Sequence, residues 1–281
     1  MNNSGFESSA TYRNRDHDFK YEVSANLSTL RNRVTSLGFG TDSYISGSYI
    51  TKVGQEIGQF YGWVYEGIAR TQEDLDNHAT QEGAQIGDCL YKDVNNDGKV
   101  DSEDQVVLGS GMPKINFGLN ARFEYKRFDL SIATFGALNY HVSDDIYNSL
   151  NSCYGWGNKE VGMLEANRFS EDGSTYLSNV PRTYVTNSAS LGWNDLFSSR
   201  KIQNAAYWKI ANVELGYNFP NEWFGKYVSD VRFYVSAQNL HTFTGYHGYN
   251  VDYAGGTFTP GYNFCSYPTA RTFMCGVHFT F

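Results

Sequence analysis

INFGLNARFEYK, residues 115–126, alternates without a break: Ile115, Phe117, Leu119, Ala121, Phe123 and Tyr125 take one side of an extended chain, and Asn116, Gly118, Asn120, Arg122, Glu124 and Lys126 the other. A period of two sustained this far specifies a β-strand with one apolar and one wet face, near the upper limit of strand length in soluble proteins. A two-residue turn follows, and FDLSIAT repeats the pattern with Phe128, Leu130 and Ile132.

Working outward, the same alternation recurs along the chain. FKYEVSANL places Phe19, Tyr21, Val23, Ala25 and Leu27 on one face, NVELGYNF places Val213, Leu215, Tyr217 and Phe219, and VRFYVSAQ places Val231, Phe233, Val235 and Ala237. The last residues, TFMCGVHFTF, set Phe273, Cys275, Val277, Phe279 and Phe281 against Met274, Gly276, His278 and Thr280. Segments of this length suit a tilted strand crossing hydrocarbon. Aromatic residues also crowd the strand ends: Tyr125 and Phe128 at one turn, and Tyr217, Phe219, Trp223, Phe224 and Tyr227 around another. Girdles of this kind mark the two bilayer interfaces. A soluble β-sandwich alternates too, so the pattern alone fits a membrane barrel and a soluble β-sheet protein alike.

The composition narrows the function. With 41% apolar residues, 16% aromatic residues, 28 Gly and only 5 Pro, the chain is written for strands and turns. Its net charge of −8 leaves no basic stripe to neutralise phosphates, which excludes nucleic acid as a partner. The cysteines Cys89, Cys153, Cys265 and Cys275 lack zinc spacing. The first residues have neither the charged start nor the apolar core of a signal peptide, and no apolar run is long enough for a membrane-spanning helix. Strands are then the means by which this chain would cross a bilayer.

Connections NRDHD and YKRF are short, whereas 67–113 and 139–202 are long and rich in Gly, Asn, Ser and Asp. Short turns at one end and long loops at the other is the asymmetry of an outer-membrane barrel. For both short turns to share one side, the number of crossings between 19 and 124 beyond the two flanking strands must be even. Dividing 44–66 into strands near 44–53 and 58–66 satisfies this and gives about nine strands: an all-β, partial transmembrane antiparallel barrel with long extracellular loops.

One stretch breaks the strand pattern. DVNNDGKVDSED puts Asp93, Asn95, Asp97, Lys99 (through its carbonyl), Asp101 and Asp104 at positions 1, 3, 5, 7, 9 and 12 of a calcium loop, with Gly98 at the sharp turn. Oxygen donors at that spacing suit a hard cation. The helices that flank such loops elsewhere are missing, so the loop must be pinned by other means; the alternative is an acidic loop rich in Asx turns that binds nothing. Asp at position 12 is shorter than the usual Glu. The expected role is structural calcium, not catalysis, since no base or nucleophile lies nearby. Asp144 and Asp145 are the nearest approach to a hydrolytic carboxylate pair, but adjacent residues rarely converge on one bond, and no enzyme activity is expected.

These segments carry a family likeness. DFKYEVSANLSTLRNRVTSLG, GQFYGWVYEGI, GDCLYKDVNNDGKVDSEDQVVLGSGMPKINFGLNARFEYKRFDLSI, YWKIANVELGYNFP, VRFYVSAQNLHTFTGYHGYN and YPTARTFMCGVHFTF, in this order, resemble the C-terminal part of the SusC/RagA-like TonB-dependent outer-membrane transporters. Only 139–202 has little to align. The resemblance implies a barrel of the 22-stranded, plugged type. It further implies nutrient uptake of glycans or, in some members, peptides, with a SusD-like surface lipoprotein as a lid and TonB–ExbB–ExbD acting through a plug. On this reading 1–281 is the C-terminal portion of such a barrel, without signal peptide, plug or the N-terminal strands, and does not transport alone. Phe279 and Phe281 would then belong to the signal read by the barrel-assembly machinery. Tyr154, Trp156 and Trp193, in the unaligned loop, are candidates for stacking on sugar rings, with packing of the loop on itself as the competing reading. A calcium-stabilised secreted β-protein that binds carbohydrate is the alternative of another class. The two differ in what Phe117, Leu119, Phe233 and Val277 face: acyl chains, or a dry common interior.

Overall fold

In a computed structural model the described residues are 1–153, 157–183, 192–224, 228–252 and 255–281. Strands β1 (Asn2–Asn14) and β2 (Phe19–Arg33) open the chain, and short strands β3 (Ser43–Ser46), β4 (Tyr49–Lys52), β5 (Gln59–Gly62) and β6 (Tyr65–Ile68) follow. Helix α1 (Gln72–Asp76), β7 (Cys89–Tyr91) and β8 (Val106–Ser110) lead to the long pair β9 (Ile115–Tyr125) and β10 (Phe128–Leu138). Then come β11 (His141–Asp144), α2 (Asp145–Leu150), β12 (Gln203–Asn204), β13 (Tyr207–Asn218), β14 (Asp230–Thr244), β15 (Tyr262–Asn263) and β16 (Thr272–Thr280).

The long strands make one antiparallel ribbon in the order β1-β2-β9-β10-β13-β14-β16. Its register aligns the alternating residues of every strand. Ala121 of β9 faces Val23 on one side and Ile132 on the other, Ile132 faces Val213, Val213 faces Ala237, and Ala237 faces Phe273. One face of the ribbon is therefore apolar from β2 to β16, and β1 adds Phe6, Ala10 and Tyr12 to it with Ser8 between them. That face has no cover: Leu119, Phe233 and Val277 are 43%, 40% and 50% exposed. Phe117 is half-buried, its ring lying over Gly136 on the neighbouring strand, where a side chain would collide with it. A continuous apolar surface on this scale exceeds what a soluble monomer leaves in water. The four residues do not converge on an interior, so the membrane reading stands.

Around the short-turn end the apolar face carries a belt of rings. Phe19 lies 6.0 Å from Phe123, Phe128 4.8 Å from Tyr217, and Tyr217 5.0 Å from Phe219. At the opposite end Trp208 stacks on Phe243 at 5.3 Å. These are the two interfacial girdles expected of a transmembrane barrel wall.

The ribbon holds seven strands where the alternation suggested about nine. Residues 44–53 and 58–66 do form strands, but β3, β4 and β5 pair with β8 in a separate sheet, and β2 pairs directly with β9. The reason lies in burial: Tyr49, Ile50 and Thr51 are consecutive and all buried. A strand covered on both faces cannot be part of a lipid-facing wall. With no crossing between β2 and β9 the parity requirement still holds, and 34–114 becomes one long connection.

The short links 15–18, 126–127 and 219–229 thus lie at one end, and the long links 34–114, 139–206 and 245–271 at the other. The long links fold together into a cap. Its hydrophobic clusters are Cys89, Tyr91 and Val100, against which Trp63, Tyr65 and Trp193 pack, and Ala137, Tyr140, Val142, Ala205 and Tyr246 where the cap meets the ribbon. The protein's buried core is in its loops.

Candidate functional site

The acidic loop sits in this cap, and its geometry follows from its sequence. Asn96 and Gly98 take left-handed backbone conformations (φ 60° and 88°), which Asn and Gly adopt most readily. The turn they create lets each acidic side chain accept from an amide a few residues on. Asp93 accepts from Asn96 N at 2.7 Å and Gly98 N at 2.8 Å, Asn95 from Asp97 N at 2.9 Å, and Asp97 from Lys99 N at 3.0 Å. Two other contacts replace flanking helices. Thr80 brackets the loop, its N donating to Gly98 O and its O accepting from Val100 N, each at 2.9 Å. Asp104 is fully buried and accepts from Val94 N at 2.7 Å and Asp101 N at 2.9 Å.

Burial alone would raise the Asp104 pKa, but the amides of Asp101, Val94 and Asn95 outweigh it and hold the carboxyl below its ordinary range. The Lys99 ammonium lies 3.7 Å from Asp97 and 3.4 Å from Asp101. Those carboxylates, Asp97 foremost, raise its pKa. The side-chain oxygens of Asp93, Asn95 and Asp97 and the Lys99 carbonyl belong to one tight turn and have the chemistry for a hard cation. Asp104 has both oxygens on backbone amides. Among the described residues no group of three or more His, Cys, Asp or Glu side chains is already gathered as a cage.

Trp193 is built into the cap core. Its ring packs 6.2 Å from Tyr91, its indole N–H donates to Glu82 O at 2.9 Å, and its carbonyl accepts from the Tyr91 hydroxyl at 2.5 Å. Only part of its surface is exposed. Tyr154 and Trp156 lie outside the described residues. Phe279 pairs with Val231 on the apolar face, and Phe281 follows the last paired residue of β16. Asp144 and Asp145 have separate tasks: Asp144 caps α2 and binds Tyr246 and Asn263, while Asp145 accepts from Tyr262.

Several residues that organise the site were invisible to sequence spacing. Asp88, buried, takes a bidentate grip from Arg182 at 2.5 and 2.9 Å and a bond from Asn194 at 2.7 Å, joining two of the long connections. Lys209 on β13 pairs with Asp252 in the third. On the wet face near the short turns, Arg232 holds Asp129 at 2.7 Å and Glu214 at 2.8 Å, and its guanidinium stacks 5.5 Å from the Tyr234 ring. Gly216 lies beneath that cluster, where any side chain would strike Asp129 and Arg232.

Lys209 reaches the wet face through a β-bulge. Continuing the period of two from Val213 would put it in lipid, but the register shifts at Ala211, which sends Trp208 and Ile210 outward and Lys209 inward.

No family model matches the chain. It is similar over its whole length to TonB-dependent receptor P3 of Formosa agariphila, at 29% identity and covering 29% of that protein. TonB-dependent receptor SusC of Bacteroides thetaiotaomicron is 25% identical over 94% of the chain, which covers 25% of it. Among solved structures, the RagAB peptide transporter superposes with a TM-score of 0.77 over 98% of the chain and 28% of that structure's chain, at 20% identity. The chain thus spans under a third of the length of these relatives, and its fold is that of a part of the SusC/RagA-type receptor wall.

Proposed function

We propose that this chain supplies a sector of the barrel wall and the outer cap of a SusC/RagA-type TonB-dependent receptor in the outer membrane, working in nutrient uptake. The observation that carries the reading is the two-faced ribbon: one side predominantly apolar and uncovered, the other charged and polar, with long loops capping one end only. The apolar side meets acyl chains and the wet side lines the path of the ligand. The uncovered face also disfavours the secreted carbohydrate-binding alternative, which needs a dry common interior.

Within that function the ligand is a glycan, and a SusD-like surface lipoprotein closes over the cap. Uptake is driven by TonB–ExbB–ExbD through a plug, and Phe279 and Phe281 serve recognition by the barrel-assembly machinery. Calcium binds the acidic loop through Asp93, Asn95, Asp97, Lys99 and Asp101 and stiffens the cap, with Asp104 as the pin that shapes it. Ring contacts with the ligand fall to Tyr154 and Trp156, since Trp193 is committed to the cap core. The ribbon's outer strands, each paired on one side among the described residues, are completed by further strands of the barrel, because unpaired backbone groups in hydrocarbon are prohibitively costly.

Cell fractionation with a heat-modifiability gel tests the reading. The gene product should be recovered in the outer membrane and migrate faster unboiled than boiled. Recovery as a soluble protein with no such shift would refute it.

A further inference from the structure

The outward face of β2 continues past its last apolar residue. Phe19, Tyr21, Val23, Ala25 and Leu27 are followed on the same parity by Thr29, Arg31 and Arg33, at the long-loop end of the strand. The alternation holds to that end. Asn32 is buried and accepts from Ile57 N of the first long connection at 3.0 Å, and Val34 is buried too, whereas Arg31 and Arg33 are exposed. Both guanidiniums therefore lie on the outer side of the wall. Their partners in register on β1 are Ser4 and Asn2, which carry no charge.

Their height follows from the geometry of a tilted strand. A rise of about 3.3 Å per residue at a tilt of about 40° advances roughly 2.5 Å along the barrel axis. Tyr21 belongs to the ring belt at the short-turn end, its ring 5.9 Å from that of Phe19. Arg31 stands ten residues further on, about 25 Å above that belt, which is the full height of the apolar band, and Arg33 is about 5 Å higher. Arg31 is thus at the outer headgroup boundary, where a cation is tolerated, and clear of the midplane, where it is costly.

These two cations are unmatched. On the wet face Arg13 is held by Glu22 at 2.7 Å, Arg122 by Glu124 at 3.0 Å and Arg232 by Asp129 at 2.7 Å. Neither Arg31 nor Arg33 has a side-chain hydrogen bond or ion pair among the described residues. Gly54 of the first long connection backs the Arg33 guanidinium with no side chain to cover it. Two positions apart on one face, the pair is separated by roughly 7 Å along the strand, within reach of a common group. A planar guanidinium fork matches phosphate oxygens two at a time.

We infer that Arg31 and Arg33 clamp a phosphate group on a lipid headgroup of the outer leaflet. The acyl chains of that lipid lie along Leu27 and Phe6, which are exposed on the same face just below. Free phosphate lacks this apolar contact, and a zwitterionic headgroup brings its own cation to compete. An acidic protein segment would have to enter the bilayer boundary to reach Arg31. The inference rests on the reading of the apolar face as lipid-facing and adds a bound lipid, separate from any transported ligand.

The test is native mass spectrometry of the complete receptor purified in detergent and titrated with diphosphorylated lipid A, with the same lipid stripped of its phosphates, and with inorganic phosphate. The phosphorylated lipid should bind at least about tenfold more tightly than the stripped one. Arg31→Gln combined with Arg33→Gln should abolish that preference, Arg15→Gln at the short-turn end should leave it intact, and excess inorganic phosphate should not displace the lipid. Equal affinity for the two lipids in wild-type protein would overturn the inference, whether or not the double variant assembles. So would an undiminished preference in a double variant that keeps its heat-modifiable migration, and displacement by inorganic phosphate would show a free-anion site instead. Each of these results leaves the receptor reading intact, which fails only if the protein is not an outer-membrane barrel.

Discussion

Replacing Asp104 by Ala removes the pin of the acidic loop, and the cost can be worked from its bonds. The carboxylate accepts from Val94 N at 2.7 Å and Asp101 N at 2.9 Å while wholly buried, and more weakly from Asn95 N at 3.3 Å. Asn95 is exposed and can turn to water. The other two bonds involve a charged acceptor and are worth roughly 1.5–3 kcal/mol each. Loss of both should destabilise 93–104 locally by about 3 kcal/mol or more, over a hundredfold in its opening equilibrium.

Hydrogen exchange read by mass spectrometry on the full receptor should show faster exchange at Val94 and Asp101. Val100 and Thr80, bracketed to the same loop, should follow, while β9 and β10 keep their protection. Unchanged exchange across 93–104 in the variant would refute the reasoning.

The same bonds fix the pH dependence. The Asp104 pKa is lowered in the folded protein, so its contribution is fully present above the unfolded carboxyl value of about 4. It is lost as the pH falls through the lower folded value. Wild-type protection at this loop should decline only in strong acid, and Asp104→Ala should lack that decline.

Three further outcomes follow from the ribbon and the cap. Leu119→Arg should destabilise the protein in a bilayer by about 2–4 kcal/mol in urea unfolding, while Asn120→Arg on the wet face should cost well under about 1 kcal/mol; equal costs would mean the two faces share one environment. Arg232→Met leaves Asp129 buried and unpaired and should cost about 3–5 kcal/mol, with Gly216→Ala destabilising through collision with the same pair. A membrane-impermeant maleimide on intact cells should label exposed Cys265 in the third long connection, whereas Cys275 on the apolar face should yield only to a lipid-soluble reagent. Cys89 and Cys153 should resist both, because burial pushes their thiols up to about 12 and about 11. Labelling of Cys275 by the impermeant reagent would place the apolar face in water.

The ribbon was legible because strand register in a wall is a local matter. Alternation in 115–126 forces the same face on its neighbours through short turns, and all six alternating segments read from the sequence appear in the observed sheet. Where legibility failed, the cause was tertiary. In 44–66 a strand buried on both faces gives a run such as Tyr49-Ile50-Thr51, which looks like a poor membrane strand and is a good cap strand. At Ala211 no Gly or Pro announces the bulge, and the alternation read from Val213 onward stops short of it. The acidic loop could be found because its oxygen donors are close in sequence. The Asp88–Arg182 and Lys209–Asp252 pairs, which bind distant connections, could not.

The direction of the strands adds a constraint on how the wall is completed. β1 runs from the long-loop end to the short-turn end, and so does β16, because seven antiparallel strands start and finish with the same sense. Closing this ribbon on itself would need a parallel pair between its edges, and seven strands fall below the eight whose interior side chains can just fill. Even so small a barrel would have to bury Arg232, Asp129, Glu214, Arg122 and Glu124 in its centre. An odd number of additional strands restores antiparallel pairing at both edges and opens a lumen wide enough to keep those charges wet. Strand direction and the charge of the wet face are independent of each other, and both favour a wide, even-stranded barrel in which this ribbon is one arc. The cap fits the same geometry, for its cluster of Tyr140, Val142 and Tyr246 is anchored to the ribbon at Ala137 and Tyr207 and roofs the wet side of that arc.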